Sequence, residues 1–143
     1  MIIPVSKENE KNWADLCSAL WPDNSPEDFL DERARGKLPY EYLCYMDGKP
    51  RGFISLSVRT DYVEGCSEGP VAYIEGIYVE KKFRRRGVAR ELIEYAKVWA
   101  LAHDCHELAS DCELENKVSE AFHRKVGFKE VNRIIAFSMK VKP

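Results

Sequence analysis

The chain has 143 residues, of which 45% are hydrophobic and 32% are charged, and its 22 Lys and Arg against 24 Asp and Glu leave a formal net charge of -2. This length suits one domain with one core, so we expect residues 1–143 to form a single domain. The near-neutral balance argues against a nucleic-acid-binding or membrane-surface protein. No apolar run approaches the ~20 residues that a membrane span needs, and the N-terminus carries no signal-peptide pattern.

The five cysteines are an odd number without any Cys-x-x-Cys spacing. They argue against a disulfide framework and predict a reducing compartment, which we take to be the cytoplasm. Cys105 and Cys112 lie near His103 and His106, which raises the question of a metal site. Zinc sites prefer tight paired spacings, whereas these residues spread over a predicted helix end and a predicted strand, so we expect no metal.

Two helices are predicted before the first strand. Apolar residues recur at helical spacing over about residues 7–20, and this helix ends before Pro22. Ser25 to Asp28 form a capping box with proline at the first helical position, and Gly36 can close the short helix that the box opens.

Strands and helices then alternate. Residues 40–46 and 52–59 read as strands joined by a turn at Asp47-Gly48, and polar residues of the second strand alternate with apolar ones, so one of its faces is wetter. After a loop over residues 60–70, the patterns predict a strand at 71–79 that is bent or bulged near Gly76, followed by a helix at 87–102. A strand at 107–111 and a helix around 118–122 come next, and Gly127 closes that helix. Two further strands are predicted near 129–132 and 134–141. This order predicts a mixed α/β sheet.

The strongest local signal lies in residues 79–89, where a predicted strand ends, a basic turn that contains Gly87 follows and a predicted helix begins at once. Helix N-termini present unpaired backbone N–H groups and a partial positive charge, so such a turn suits a phosphate. Gly87 allows close approach of the backbone, and Ala89 is too small to block it. Five basic residues in positions 81–86 are by themselves typical of a solvated surface, and no aromatic interleaving or second basic region supports a nucleic-acid patch.

The basic turn resembles a known family. The run Arg84-Arg85-Arg86-Gly87-Val88-Ala89 is similar to the R/Q-x-x-G-x-G/A motif of the GCN5-related N-acetyltransferases, and Asn116, Ser119, Phe122, His123 and Gly127-Phe128 resemble that family's N…A…Y…GF pattern. The resemblance implies an α/β fold with a mixed central sheet whose central strands splay apart between flanking helices, and acetyl-CoA as cosubstrate. The cofactor-binding residues that it implies are Ile77, Tyr78, Val79, Arg84, Arg85, Arg86, Gly87, Val88, Ala89 and Asn116.

A closer resemblance is to the aminoglycoside 6'-N-acetyltransferases, a branch of that family. It is carried by residues 20–23, 59–65, 74–79 and 109–111, which read LWPD, RTDYVEG, IEGIYV and ASD. It implies an enzyme that transfers the acetyl group of acetyl-CoA to the 6'-amino group of aminoglycoside antibiotics by direct attack of the amine, which is a resistance activity. It also implies a homodimer, and a sheet edge at residues 134–141 would invite such pairing.

The distribution of charge argues independently for a cationic substrate. Residues 60–80 contain five acids and residues 103–116 contain five more, with no Lys or Arg in either segment. The basic turn lies between these two segments in the sequence. Acidic walls beside a cofactor site attract a polycationic amine, although acids of this kind also commonly face water.

Acetylation of an amine needs groups that handle its protons and charges, and the resemblance points to candidates. Glu75 is the candidate base, acting through a water, and Asp111 would hold the ammonium and share the base role. The backbone N–H of Val79 is the candidate donor to the developing oxyanion. His123 stands where the family commonly has the tyrosine that protonates the leaving thiolate. The alternative interpretation is that His123 is a packing residue.

The substrate must also be held in position for the reaction, and two aromatic residues are candidates for this role. Trp21 and Tyr62 are predicted to stack on sugar rings, and the alternative is that they pack in the core. Three other readings stay open: an acetyltransferase for polyamines or other small amines, a CoA-binding module without catalysis, and a nucleic-acid binder that uses the basic turn. Substrate and cofactor assays separate these readings.

Overall fold

The computed structural model describes residues 1–143. Its elements, in chain order, are β1 (Ile2–Pro4), α1 (Glu10–Leu20), α2 (Pro26–Ala34), β2 (Glu41–Met46), β3 (Lys49–Arg59), β4 (Val71–Val79), a short 3-10 helix (Lys81–Phe83), α3 (Val88–Ala102), β5 (Leu108–Ala109) and α4 (Lys117–Lys125). The predicted mixed α/β sheet with flanking helices is confirmed. No helix combines the length and the apolar character that crossing a membrane requires.

The chain divides into two compact units, Met1–Asp111 and Cys112–Pro143. The first unit contains all five strands and the first three α-helices, and the second contains α4. The expectation of a single domain stays a prediction.

One five-stranded sheet forms the centre of the first unit, with the strands in the order β1-β2-β3-β4-β5. The pairs β1–β2, β2–β3 and β3–β4 are antiparallel, and β5 runs parallel to β4. The β4–β5 pairing comprises only Ala72 with Leu108 and Tyr73 with Ala109. From Ile74 onward, β4 therefore has a strand partner on its β3 side only, in agreement with the splayed strands that the family resemblance predicted.

Helices cover both faces of this sheet. Side chains alternate between the two faces along a strand, and Leu43 and Phe53 point to the face on which α1 packs, where they join Trp13 in one buried cluster. The opposite face is covered by α3, where Trp99 Nε1 donates a hydrogen bond of 2.9 Å to the Tyr42 hydroxyl. The buried residues of α3 form an apolar stripe at helical spacing, namely Val88, Leu92, Ile93, Ala96, Trp99 and Ala100.

The predicted capping box of α2 and the predicted turn between β2 and β3 are confirmed. Ser25 Oγ accepts a hydrogen bond of 3.3 Å from the Asp28 N–H, and the Ser25 N–H donates to Asp28 Oδ2 at 2.8 Å. This is the predicted capping box at the start of α2. Asp47 and Gly48 have φ angles of 54° and 77°, the two positive values that a type I′ hairpin turn between β2 and β3 needs.

Strand β4 carries the bulge that was predicted near Gly76. Ser55 pairs with Gly76, but the next residue of β3, Leu56, pairs with Ile74. Glu75 is therefore an extra residue without a partner on β3. A bulge interrupts the alternation of side chains along the strand and changes the direction in which the side chain of the bulged residue points.

Two predictions for the ends of the chain are wrong. No strand is predicted before α1, because three residues are too few to show an alternating pattern. In the structure, Ile2–Pro4 pairs with β2. Residues 129–132 and 134–141 form no strand, and their apolar side chains are exposed, with Phe137 at 88% and Met139 at 87%. A strand forms only where an extended segment pairs with a neighbour, and the alternating pattern of these residues does not specify a partner.

Candidate active site

Glu75 is held in an ion pair with Arg59. Arg59 Nη2 lies 2.9 Å from Oε1 and 3.0 Å from Oε2 of Glu75, and Arg59 Nε donates to Oε2 at 3.2 Å. Ser57, two residues earlier on β3, donates through Oγ to Oε2 at 2.5 Å. Burial lowers the pKa of the Arg59 guanidinium, but hydrogen bonding to Glu75 and its charge outweigh burial and leave that pKa raised. Arg59 therefore keeps its positive charge beside the candidate base.

Asp111 is joined to the same residues through Tyr73. The Tyr73 hydroxyl donates a hydrogen bond to Asp111 Oδ2, and the Arg59 guanidinium carbon lies 3.4 Å from the centroid of the Tyr73 ring. Burial and the hydrogen bond to Asp111 raise the pKa of the Tyr73 hydroxyl, which therefore keeps its proton and acts as a donor. The two acids predicted from the sequence thus belong to one connected group. We call Ser57, Arg59, Tyr73, Glu75 and Asp111 the acid cluster.

A further carboxyl group, Glu41 on β2, is only 4% exposed. Trp13 Nε1 donates to its Oε1 at 3.0 Å, and Ser55 Oγ donates to its Oε2 at 2.5 Å. Burial raises the pKa of Glu41 to about 8, against the opposing effect of these two hydrogen bonds. Most Glu41 side chains are therefore protonated at neutral pH, a property that the sequence did not predict.

The two aromatic residues predicted to contact substrate have different surroundings. Trp21, directly after α1, stacks on Phe29 with the ring centroids 5.8 Å apart. It also lies against Gly76, where an added Cβ would come within 2.4 Å of the indole ring. Tyr62 is 81% exposed in the loop after β3, and its hydroxyl donates to Glu64. Trp21 is thus a packed residue and Tyr62 a surface residue, and their contact with a sugar stays a prediction.

The basic turn leads directly into α3. Gly87 is the N-cap of this helix with a φ of 86°, and Arg85 has a φ of 62°. No side chain caps the helix, so the backbone N–H groups of its first turn lack an intrahelical acceptor. Nothing lies within 4 Å of the position that a Cβ on Gly87 would take. Free donors, open space and neighbouring guanidinium groups fit a pyrophosphate.

The end of β4 directs backbone groups away from β3. The Glu80 N–H donates to the Arg51 carbonyl at 2.9 Å, so these two residues form a hydrogen-bonded pair of the antiparallel ladder. Because hydrogen-bonded pairs alternate with pairs that are not, Val79, opposite Gly52, points both its N–H and its carbonyl away from β3. Arg84 Nε donates to that carbonyl at 2.9 Å. The Val79 N–H, the candidate oxyanion donor, therefore faces the side of β4 where no strand pairs.

The other residues predicted to bind the cofactor lie along β4 and the start of α3. Ile77 and Tyr78 are half-buried, and the Arg84 guanidinium lies 5.5 Å from the centroid of the Tyr78 ring. Arg86 is exposed and lies 3.7 Å from the carboxylate of Asp47. Val88 is buried and Ala89 is half-buried at the first positions of α3.

Asn116 and His123 belong to the second unit. Asn116 is the N-cap of α4, and its Oδ1 accepts a hydrogen bond of 3.0 Å from the Ser119 N–H. His123 Nδ1 lies 2.7 Å from the Ser119 carbonyl. A carbonyl can only accept, so Nδ1 carries a proton and a neutral His123 has an unprotonated Nε2. His123 can therefore donate a proton through Nε2 only as the imidazolium.

Histidines and cysteines do not gather into a metal centre. No group of three or more His, Cys, Asp or Glu side chains is arranged to hold a metal ion. His103 Nδ1 contacts the Trp99 carbonyl at 2.8 Å, Cys105 is buried and Cys112 is exposed. All five cysteines are free thiols.

Arg59 and Tyr73 are parts of the site that the sequence did not predict, although Arg59 lies in a stretch that carries the family resemblance. The signal that could have found both is the strand register, which sets Ser57 opposite Tyr73 and Arg59 opposite Val71. An arginine two pairs along the ladder from a tyrosine, and so on the same face, which also carries an acid, indicates an ion pair and a cation–π contact.

Comparison of the chain with known protein families agrees with its fold, its splayed strands and its basic turn. Residues 7–128 match the model described as the Acetyltransferase (GNAT) family. The chain belongs to this acetyltransferase family.

Comparison with individual proteins shows which members of this family the chain is similar to. The chain is 37% identical over 142 residues to the aminoglycoside N(6')-acetyltransferase type 1 of Acinetobacter haemolyticus, with 98% of each chain covered. It is 37% identical over 141 residues to the enzyme of the same name from Serratia marcescens, covering 96% of this chain and 97% of that enzyme. Among solved structures, the aminoglycoside antibiotic 6'-N-acetyltransferase of Acinetobacter haemolyticus matches with a TM-score of 0.91 at 38% identity over 99% of both chains. The structure of AAC(6')-Iy in complex with the bisubstrate analog CoA-S-monomethyl-acetylneamine matches with a TM-score of 0.91 at 33% identity, covering 99% of this chain and 98% of that one.

Proposed function

We propose that this protein transfers the acetyl group of acetyl-CoA to the 6'-amino group of aminoglycosides. The observation that carries the proposal is the acid cluster, in which Glu75 and Asp111 are connected through Arg59 and Tyr73. Paired carboxylates attract and hold the ammonium groups of a polycationic sugar. The similarity to relatives named aminoglycoside N(6')-acetyltransferase supports this substrate class.

Acetyl-CoA supplies the acetyl group, activated as a thioester, when it is bound. The first backbone N–H groups of α3, including those of Val88 and Ala89, and the side chains of Arg85 and Arg86 would hold its pyrophosphate. Arg84 anchors the turn by donating to the carbonyl of Val79. We assign contact with the pantetheine arm to Ile77, Tyr78, Val79 and Asn116.

Each proton transfer of the reaction is assigned to a named group. Asp111 holds the 6'-ammonium by a charge-assisted hydrogen bond, and Glu75 takes the proton through a water, so that the neutral amine becomes the nucleophile. The Val79 N–H donates to the oxygen that gains negative charge. His123 delivers a proton to the leaving thiolate through Nε2, which requires the imidazolium form because Nδ1 is engaged with the Ser119 carbonyl.

The sugar rings are placed against Trp21 and Tyr62. Trp21 contacts the bulged part of β4 at Gly76, next to Glu75. Tyr62 is exposed and follows Arg59 by three residues along the chain. Aromatic faces of this kind accept the apolar faces of sugars, so these two side chains would orient the ring that carries the 6'-amine.

Release of the thiol from acetyl-CoA, measured with kanamycin or spermidine as the amine, tests the substrate class. We expect turnover with kanamycin and a kcat/KM for spermidine that is lower by at least about 100-fold. A preference for spermidine would instead identify a polyamine acetyltransferase. Binding of CoA without turnover of either amine would identify a CoA-binding module.

We also propose that the protein is a cytoplasmic homodimer. Five free cysteines support a reducing compartment. Ile135, Phe137, Met139 and Val141 alternate along a segment whose side chains are exposed, and β5 is an edge strand of the sheet. Pairing of this segment with the sheet of a second copy would bury the apolar side chains and satisfy the backbone of both.

Analytical ultracentrifugation tests the dimer. The wild type should sediment as a dimer, and the double variant Phe137→Asp/Met139→Asp should sediment as a monomer, because charges on the buried face of a pairing strand oppose its burial. A monomeric wild type, or a double variant that stays dimeric, would contradict this assembly.

A further inference from the structure

We propose that Arg59 and Tyr73 are positioning residues that hold Glu75 and Asp111 in a fixed arrangement for the amine. The inference rests on the proposed function, because it specifies how the same acid cluster receives its substrate. Neither residue has to touch the amine. Each acts through a carboxylate that does.

Arg59 and Ser57 leave one oxygen of Glu75 available. A carboxylate has about four acceptor positions, two on each oxygen. Oε2 accepts from Ser57 Oγ and from two nitrogens of Arg59, whereas Oε1 accepts from Arg59 Nη2. Oε2 is therefore saturated, and Oε1 keeps room for one more donor. The guanidinium of Arg59 thus decides which oxygen meets the amine or its bridging water.

Tyr73 has the corresponding role for Asp111. Its hydroxyl binds Oδ2, which leaves Oδ1 to accept from an ammonium. The Tyr73 ring is only 7% exposed and packs in a cluster with Val63 and Val71. Because the ring is fixed by packing, the hydroxyl ties an exposed aspartate just after β5 to the core of the first unit.

Arg59 links the two carboxylates to each other. Its guanidinium carbon lies 3.4 Å from the centroid of the Tyr73 ring, while three hydrogen bonds join its nitrogens to Glu75. Stacking and bidentate binding together need a planar guanidinium, which the ammonium of lysine cannot reproduce. A change at Arg59 therefore disturbs both acids, whereas loss of the Tyr73 hydroxyl disturbs Asp111 alone.

Steady-state assays of Arg59→Lys and Tyr73→Phe with kanamycin test this assignment. Tyr73→Phe keeps the ring and should raise the KM for kanamycin about fivefold with kcat within about twofold, because it loosens only the acid that holds the ammonium. Arg59→Lys keeps the charge and should also lower kcat about tenfold, because it releases the candidate base. A wild-type KM in Tyr73→Phe, or a wild-type kcat in Arg59→Lys, would overturn the proposal.

Two matched variants control for the loss of similar contacts elsewhere. Tyr42→Phe removes a tyrosine hydroxyl that is bonded to Trp99 on the other face of the sheet. Arg33→Lys alters a half-exposed arginine paired with Glu10 at 3.1 Å. Neither control should change kcat or KM by more than about twofold. A fivefold rise in the KM for kanamycin in Tyr42→Phe would overturn the specific role of Tyr73.

The deciding readout is the dependence on the partner acid. In an Asp111→Ala background, Tyr73→Phe should leave the KM for kanamycin unchanged, because the group through which it acts is gone. The same fold-change in both backgrounds would overturn the proposal, since Tyr73 would then act through packing alone. The KM for acetyl-CoA, which should stay within about twofold in every variant, shows that each protein is folded.

These assays also separate the positioning role from the proposed function. If Glu75→Gln and Asp111→Ala acetylate kanamycin as fast as the wild type does, the assignment of the two acids fails, and the positioning role fails with it. If those two variants are impaired while Arg59→Lys and Tyr73→Phe match the wild type, only the positioning role is overturned.

Discussion

Trp13 Nε1 donates a hydrogen bond of 3.0 Å to Oε1 of Glu41, which places a carboxyl group inside the apolar layer between α1 and the sheet. Trp13 is fully buried and Glu41 is 4% exposed. Burial raises the pKa of Glu41 to about 8, although Ser55 and Trp13 both donate to it. The stability of the first unit therefore responds to pH through this one side chain.

We expect the protein to lose stability as the pH rises from 4.5, the ordinary pKa of this carboxyl group, to about 8. In that window the folded state keeps a proton on Glu41 that the unfolded chain releases. The stabilising contribution is complete below the unfolded pKa and is lost as the pH rises through the folded pKa. Glu41→Gln stays neutral, so the melting temperatures of the variant and the wild type should diverge in the variant's favour with rising pH. Parallel melting temperatures across this range would contradict the buried acid.

Gly76 admits the ring of Trp21 against β4. A Cβ on Gly76 would lie 2.4 Å from Cη2 and 2.5 Å from Cζ2 of that ring. Gly76→Ala should therefore cost about 1–3 kcal/mol of unfolding free energy and raise the KM for the aminoglycoside, because the ring has to move. In a Trp21→Leu background the same substitution should cost less. Denaturant unfolding measures both costs, and equal costs would show that Gly76 does not serve to admit the ring.

Local chemistry made most of the elements predictable. The capping box at Ser25, the turn at Asp47-Gly48 and the apolar stripe of α3 are determined by residues within a few positions of each other. Residues 129–141 show why the same logic fails elsewhere. Their alternating pattern favours a strand, but a strand also needs a partner, and the pattern does not specify one.

The residues of the candidate site were easier to predict than their connections. Glu75 and Asp111 are candidates because the family resemblance implies that the strands that carry or precede them lie beside the cofactor. The bonds from Arg59 to Glu75 and from Tyr73 to Asp111 join residues 16 and 38 positions apart. Both depend on strand register and on the bulge at Glu75, which are set by the packing of the whole sheet.

The charge of the basic turn should govern the affinity for acetyl-CoA. The double variant Arg85→Gln/Arg86→Gln is expected to raise the KM for acetyl-CoA about tenfold, because two charged donors to the pyrophosphate are lost. The KM of the wild type should also rise more steeply with salt than that of the variant. Lys97→Gln is the matched control, since Lys97 lies on the same helix and pairs with Glu94. An unchanged KM in the double variant would place the pyrophosphate elsewhere.

Asp111 should affect the amine and leave the cofactor alone. Asp111→Ala is expected to raise the KM for kanamycin at least about tenfold and to slow turnover, because a charge-assisted hydrogen bond to the ammonium is lost. Calorimetry should give a Kd for CoA within about twofold of the wild type, since Asp111 has no assigned contact with it. A raised Kd for CoA together with an unchanged KM for kanamycin would contradict this assignment, because Asp111 would then act on the cofactor and not on the amine.

The choice of the 6'-amine is tested most directly with neomycin and paromomycin, two aminoglycosides that differ in carrying an amino or a hydroxyl group at the 6' carbon. Mass spectrometry and NMR of the products formed with acetyl-CoA would count the acetyl groups and locate them. We predict that neomycin is acetylated once, on the 6' nitrogen, and that paromomycin is not acetylated. Acetylation of paromomycin, or of neomycin on a different nitrogen, would contradict the proposed function.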